Sequence, residues 1–313
     1  MRTTKRSIGT AAVIVTVAFA LGACGPSFED PAGARCDSPE VTYGRMSAST
    51  DHREMDVAFT CVGASQAGTL YLPADGEGHP AVIWVHGAGE ATRLPFDAPI
   101  VSGFVREGIA FFSYDKRGVG DSEGECCPGD YGHFNLLTAD VIGAIVAVRG
   151  AEGVGPEDVG LIGASQAGWI APRAAAESGH VAFTALASAA VLPYEQIAAY
   201  ADLTGGDGSA DPFPSTQEIA DTLDGTSWEG VDPRPYLEHM DVPELFLLGD
   251  ADREIPYAQT VDALDRLKAG GASITVASFP GAGHGLLDVP STDPDALPTL
   301  ISWVVDVVGG SPA

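Results

Sequence analysis

From residue 81 onward the chain repeats one pattern: a short, nearly continuous apolar run, then a longer stretch in which apolar residues recur every three or four positions. The apolar runs are 81–85, 109–114, 159–162, 182–186, 245–248 and 274–279. Runs of that length without polar alternation read as strands buried on both faces. The periodic stretches 135–149, 166–177, 261–268 and 300–308 read as helices; in the first, Leu136, Val141, Ile145 and Val148 fall on one side. Strands alternating with crossover helices predict an α/β fold, a mostly parallel sheet flanked by helices. Two shorter strand-like runs, 55–62 and 68–72, bring the expected sheet to about eight strands.

One stretch breaks the rhythm. Residues 190–243 are rich in Gly, Asp and Pro, with weak helical signals at 195–203 and 216–223. A structureless loop of that length is unusual inside a domain, so the stretch predicts a small inserted lid over the end of the sheet. Residues 24–50, with several prolines and glycines, read as a tether, which leaves 51–313 as the folded domain. Ahead of the tether, Arg2, Lys5 and Arg6 precede an apolar run from Ile8 to Leu21, closed by Leu21-Gly22-Ala23-Cys24. This leader resembles the lipobox segment of bacterial lipoproteins. The resemblance implies removal of residues 1–23, a lipid anchor on Cys24, and an exported, membrane-anchored domain outside the cytoplasm.

Composition narrows the function classes. With 313 residues, 45% of them apolar and 19% charged, the chain can build a large core and is no disordered polyelectrolyte, collagen or polytopic membrane protein. Lys and Arg number 16 against 43 Asp and Glu, a formal charge of −27. That balance gives no basic surface for phosphates, so nucleic acid is not an expected partner. Anionic substrates are also disfavoured unless the pocket is locally positive; Arg93 and Arg253 are the nearest basic candidates. Besides Cys24 the chain has Cys36, Cys61, Cys126 and Cys127, an even number suited to disulfides in an oxidising compartment. Three pairings are open. One requires a strained ring between the adjacent Cys126 and Cys127, so cross-links from Cys36 and Cys61 into that loop stand at least level with it. No His lies at ligand spacing from the cysteines, so neither a metal nor another cofactor is expected.

The chemistry-bearing residues follow the strands. Gly163-Ala164-Ser165-Gln166-Ala167-Gly168 comes directly after the run 159–162 and opens a helix, the setting in which small residues allow a turn sharp enough to expose a serine hydroxyl. Asp252 lies just after 245–248 and His284 just after 274–279. Parallel strands end at one edge, so Ser165, Asp252 and His284 can meet there as nucleophile, orienting acid and base. His86-Gly87-Ala88-Gly89 follows 81–85 at the same edge. The N–H groups of Ala88 and Gln166 can there form an oxyanion hole.

These motifs, with Asp115-Lys116-Arg117-Gly118-Val119-Gly120-Asp121-Ser122 and the Gly249 to Pro256 spacing around Asp252, resemble the α/β-hydrolase family. His-Gly-Ala-Gly-x-x-x-Arg and Gly-Ala-Ser-Gln-Ala-Gly-Trp resemble more narrowly its bacterial branch related to serine aminopeptidases and acyl-ester hydrolases. The resemblance implies nucleophile Ser165, acid Asp252, base His284 and oxyanion donors Ala88 and Gln166, with Asp115 and Arg117 bracing their loop. Ala167 departs from the commoner glycine, so its methyl crowds the turn. Asp250 is the rival acid. His86 reads as a packed hydrogen-bonding residue, His133 as a surface or capping residue, Glu195 and Glu218 as exposed lid residues that can also meet a substrate amine, and Trp84 and Trp169 mainly as core. The expected activity is a carboxylesterase for short acyl esters with a small-molecule acyl substrate. An aminopeptidase, or a thioesterase, is the alternative within the fold, and a non-catalytic binding lipoprotein the alternative outside it. Because the base must be neutral, activity is expected to fall at acid pH, near the ordinary histidine pKa of ~6.5 before environmental shifts.

Overall fold

Each apolar run between residues 55 and 279 that reads as a strand is one in the computed structural model, which describes residues 32–125, 133–206, 208–225 and 227–310. The leader 1–23, Cys24, Cys126 and Cys127 lie outside the described residues. The chain begins with an antiparallel edge formed by β1 (Glu40–Tyr43), β2 (Ser47–Ala48), β3 (His52–Cys61) and β4 (Ala64–Pro73). β1 and β2 both pair with β3, which pairs with β4. The tether expected over 24–50 therefore ends earlier, because residues 40–43 and 47–48 belong to the sheet. Cys36 belongs to the domain as well: it is disulfide-bonded to Cys61, with Cα atoms 5.5 Å apart. This pairing replaces the cross-links into the 126–127 loop.

The other six strands are β5 (His79–Val85), β6 (Ala110–Tyr114), β7 (Val154–Ala164), β8 (Thr184–Ala187), β9 (Glu244–Gly249) and β10 (Ile274–Phe279). They run parallel, in the order β6-β5-β7-β8-β9-β10, and β4 joins them antiparallel to β6. The described sheet has ten strands rather than about eight. Every residue of β6, β8 and β9 is buried, which is why these strands are mostly apolar, with Ser113, Thr184 and Glu244 the polar exceptions. In β3 burial alternates, with Met55, Val57, Phe59 and Cys61 turned inward, the pattern of a strand with one wet face.

Helices cover both faces. α1 (Pro99–Arg106) and α8 (Ala296–Val308) pack on one face through Val101, Phe104, Leu300 and Val304. α2 (Phe134–Arg149), α3 (Ala167–Ser178) and α7 (Tyr257–Ala269) cover the other through Ile142, Ile145, Ile170 and Leu264. The insertion at 190–243 holds three helices, α4 (Tyr194–Thr204), α5 (Thr216–Leu223) and α6 (Arg234–Leu237). It joins the second core through Ile197 and Leu237. Its Tyr200 hydroxyl donates to the Asp252 carbonyl at 3.3 Å, which lays it over the carboxyl end of β9.

Candidate active site

Ser165 occupies the turn between β7 and α3 with φ +56°, a conformation that costs a non-glycine residue about 1 kcal/mol or more. The surroundings hold it there. Its N–H donates to Ala187 O at 3.1 Å, and its carbonyl accepts from Gly168 and Ala190 N–H at 2.9 and 3.1 Å. The turn is closed by two glycines that have no room for a side chain. A Cβ at Gly168 would stand 2.4 Å from Ala190 O, and one at Gly163 2.5 Å from Val85 O and 2.7 Å from the Ala167 methyl. The alanine at 167 is therefore accommodated because residue 163 is glycine.

Asp252 and His284 meet as the parallel edge predicts. His284 Nδ1 donates to Asp252 Oδ2 at 2.9 Å, while Asp252 Oδ1 accepts the N–H groups of Glu254 and Ile255 at 2.8 and 3.0 Å. The carboxylate is buried and saturated, which fixes the imidazole with Nε2 turned outward. The rival Asp250 is spent elsewhere, accepting from Gly281 N–H at 2.6 Å. On the Nε2 side of the ring stands a second carboxylate, Glu254, at 3.8 Å. Burial works against the imidazolium, but the charge of Asp252, its hydrogen bond, and the charges of Glu254 and Asp288 outweigh it and lift the His284 pKa to about 9. Ser165 and His284 open onto one cavity, and no hydrogen bond joins them among the described residues.

That cavity, about 790 Å³, is also lined by Ala88, Glu254 and Asp288 and by apolar walls that include Trp84, Leu94, Leu286 and Leu297. On the other side of Ser165 lies a second cavity of about 20 Å³, bounded by Trp169, Tyr194, Ile197 and Ala198. Of these two cavities, the insertion lines only the small one. The large one is walled by residues 94–100 and 286–298, segments that sequence patterning left unassigned. Trp84, read as core, is half-buried and lines the large cavity; Trp169 is buried and donates to Leu192 O at 2.8 Å.

The remaining candidates have other tasks. Buried His86 is bonded through Nε2 to Tyr114 O at 2.5 Å, and burial pushes its pKa down to about 4. His133 stands at the N-cap of α2 and is buried there rather than at the surface. Asp115 accepts the N–H groups of Arg93 and Asp121, and Arg117 forms a buried two-point ion pair with Asp140, so both brace the loop after β6. Arg93 pairs with Asp121 and Arg253 lies over the Phe213 ring; neither lines the large cavity. Glu218 forms a capping box with Ser215, and Glu195 accepts from Glu229 N–H.

Two residues escaped the sequence reading. Ser188, after β8 with φ +45°, donates to the His284 carbonyl at 2.7 Å. Lys116, 3% exposed, donates to Gly87 O, Gly89 O and Gln166 Oε1 at 2.9, 3.2 and 2.9 Å. Gln166 itself caps the N-terminus of α3, the positive end of the helix dipole.

A family model described as serine aminopeptidase, S33, matches residues 76–206. Acylamino-acid-releasing enzymes of Mus musculus and Homo sapiens are each 22% identical, over 235 and 242 residues. These alignments cover 72% and 74% of this chain but 31% and 32% of the relatives, so the chain spans about a third of their length. Among solved structures, acetyl xylan esterase 1 from Thermoanaerobacterium sp. JW/SL YS485 aligns with TM-score 0.63 and 19% identity, covering 86% of this chain and 88% of that one. The acetyl xylan esterase from Paenibacillus sp. R4 aligns with TM-score 0.63 and 16% identity over 85% and 87% of the two chains. The chain has the α/β-hydrolase fold.

Proposed function

We propose that the protein is a serine hydrolase that cleaves carboxylic esters of small acyl groups through an acyl-enzyme. One observation carries this reading: Ser165, on a strained elbow, shares a cavity with an imidazole whose far nitrogen is held by the buried Asp252. With Nδ1–H committed to Asp252, neutral His284 presents a lone pair at Nε2. It takes the Ser165 proton as the hydroxyl oxygen attacks the acyl carbon, and the oxyanion is received by the N–H groups of Ala88 and Gln166. The resulting imidazolium protonates the leaving alcohol, the C–O bond breaks, and water repeats the sequence on the acyl-serine.

The two cavities support a division of the substrate. The proton donor must face the leaving group, and His284 lines the large cavity and not the small one. The alcohol then lies in the large apolar cavity and the acyl group in the small one, whose 20 Å³ is space for about one water-sized group. An acetyl methyl fits that limit. The acetyl xylan esterases share the fold, and the apolar walls here favour an alcohol less polar than a sugar.

A second reading, a serine aminopeptidase, is favoured by Glu254, a carboxylate bordering both cavities, and by the S33 match. Comparing kcat/KM on p-nitrophenyl acetate with that on aminoacyl anilides separates the two. A fluorophosphonate probe tests the catalytic reading itself. It should label the protein at one site, and Ser165→Ala should abolish the label; labelling that persists in the variant defeats the assignment. Export with a lipid on Cys24 is part of the proposal, supported by the lipobox-like leader and by a disulfide suited to an oxidising compartment. Metabolic incorporation of a fatty-acid analogue, lost in Cys24→Ala, is its test.

A further inference from the structure

Lys116 follows β6 at the same sheet edge as the site, and its side chain is buried. Removing an ammonium from water costs several kcal/mol unless its protons find good acceptors. Three of its acceptors are grouped. Gly87 and Gly89 flank Ala88, and Gln166 is the residue whose N–H is the second donor of the proposed oxyanion hole. The carbonyl of Gly87 and the N–H of Ala88 belong to one planar trans peptide and point in opposite directions. A cation fixing the Gly87 oxygen therefore turns the Ala88 N–H the other way, and Ala88 lines the large cavity.

We infer that Lys116 is a positioning residue for the oxyanion hole: its ammonium ties the 87–89 segment to the Gln166 side chain, so that both main-chain N–H groups face the tetrahedral oxygen. The inference rests on the hydrolase reading above and adds a residue to it. Two physical effects follow. The first is geometric. Gly87 and Gly89 carry no side chains to anchor the segment, and Gly89 has φ +89°, so without the clamp the Gly87–Ala88 peptide is free to rotate. The second is electrostatic. A positive charge on a carbonyl polarises its whole peptide and strengthens the N–H as a donor, and the charge itself lies one peptide away from the developing oxyanion, in a site shielded from water.

The test uses Lys116→Met, which keeps the length and removes the charge and donors, and Lys116→Gln, which keeps two donors. Each is compared with the wild type by steady-state kinetics on p-nitrophenyl acetate, by inhibition with an aryl trifluoromethyl ketone that forms a tetrahedral adduct, and by hydrogen exchange of residues 87–89. Loss of one oxyanion donor typically costs about 100-fold or more in kcat. Lys116→Met should therefore lower kcat by about that factor with KM within twofold, weaken the ketone in parallel, and speed exchange at 87–89; Lys116→Gln should recover part of each. If Lys116→Met keeps wild-type ketone affinity and wild-type exchange, the clamp is overturned, whatever its melting temperature. Should Lys116→Met fail to fold, the same decision falls to Lys116→Gln. A wild type that turns over no ester and binds no ketone would instead defeat the hydrolase reading, while exchange at 87–89 still tests the clamp.

Discussion

His284 stands between two carboxylates of unequal exposure: Asp252, 3% exposed in its side chain, at Nδ1, and Glu254, 38% exposed, toward Nε2. Asp252 sets the tautomer, whereas Glu254, 3.8 Å from Nε2, acts on the ring through its charge. The His284 pKa of about 9 means that at neutral pH the free protein holds mostly imidazolium, which cannot take the Ser165 proton. The active form accumulates as pH rises, so kcat/KM should climb through neutrality and reach half of its plateau near pH 9 rather than near the ordinary ~6.5. Glu254→Gln removes one of the charges that stabilise the imidazolium. A charge at about 4 Å is worth about 1 kcal/mol even in bulk water, so the variant should raise kcat/KM at pH 7 by about fivefold and shift the rising limb to lower pH. Asp252→Asn should lower kcat by orders of magnitude. A pH–rate profile of the wild type and Glu254→Gln checks the first two; superimposable limbs would remove Glu254 from the account.

At the scale of elements, what the sequence made legible is what local pattern and strand order determine. β6, β8 and β9 could be read because burial on both faces favours runs that are nearly all apolar. Ser165, Asp252 and His284 could be read because each directly follows a parallel strand. β1 and β2 could not, since four and two residues at an exposed edge leave no periodicity to detect. α1 was also missed: eight residues are barely two turns, and Ser102 and Gly103 interrupt its apolar face. The role of Lys116 is set by partners 27 to 50 residues away, which no local pattern encodes. The walls of the large cavity come from loop residues and from the first turns of α1 and α8, at Pro99, Ile100, Leu297 and Pro298, where so short a stretch leaves no period to read. The insertion was legible as an interruption, but its reach was not; of the two cavities flanking Ser165, α4 bounds only the small one, through Tyr194, Ile197 and Ala198. Acyl length should therefore be controlled from α4. Ile197→Ala removes three carbons beside that cavity and should move the best p-nitrophenyl ester from acetate toward butyrate, raising the butyrate-to-acetate ratio of kcat/KM by about tenfold, the worth of one or two buried methylenes. An unchanged ratio would assign the acyl group to the large cavity.

For the whole molecule, the weak point is the antiparallel edge, where β1 and β2 are short and largely exposed. The Cys36–Cys61 bond ties the chain ahead of β1 to the end of β3. Its sulfurs lie against α2 at Gly143, where a Cβ would stand 2.1 Å from the Cys61 sulfur and 2.9 Å from that of Cys36. The glycine thus makes space for the bond inside the core. Closing a loop with a sequence separation of 25 removes unfolded-state entropy worth about 3 kcal/mol. Cys36→Ser with Cys61→Ser should therefore lower the unfolding free energy in urea by about that amount, and reductant should do the same to the wild type but not to the double variant. Esterase activity at low temperature should survive, because the bond lies outside the lining of both cavities flanking Ser165. Compartment enters the same measurement. If the protein acts outside the cytoplasm, Cys36 and Cys61 of material recovered from the membrane should resist alkylation under denaturing conditions until reduced. Free thiols at both positions in that material would argue for a reducing location and against the lipid anchor at Cys24.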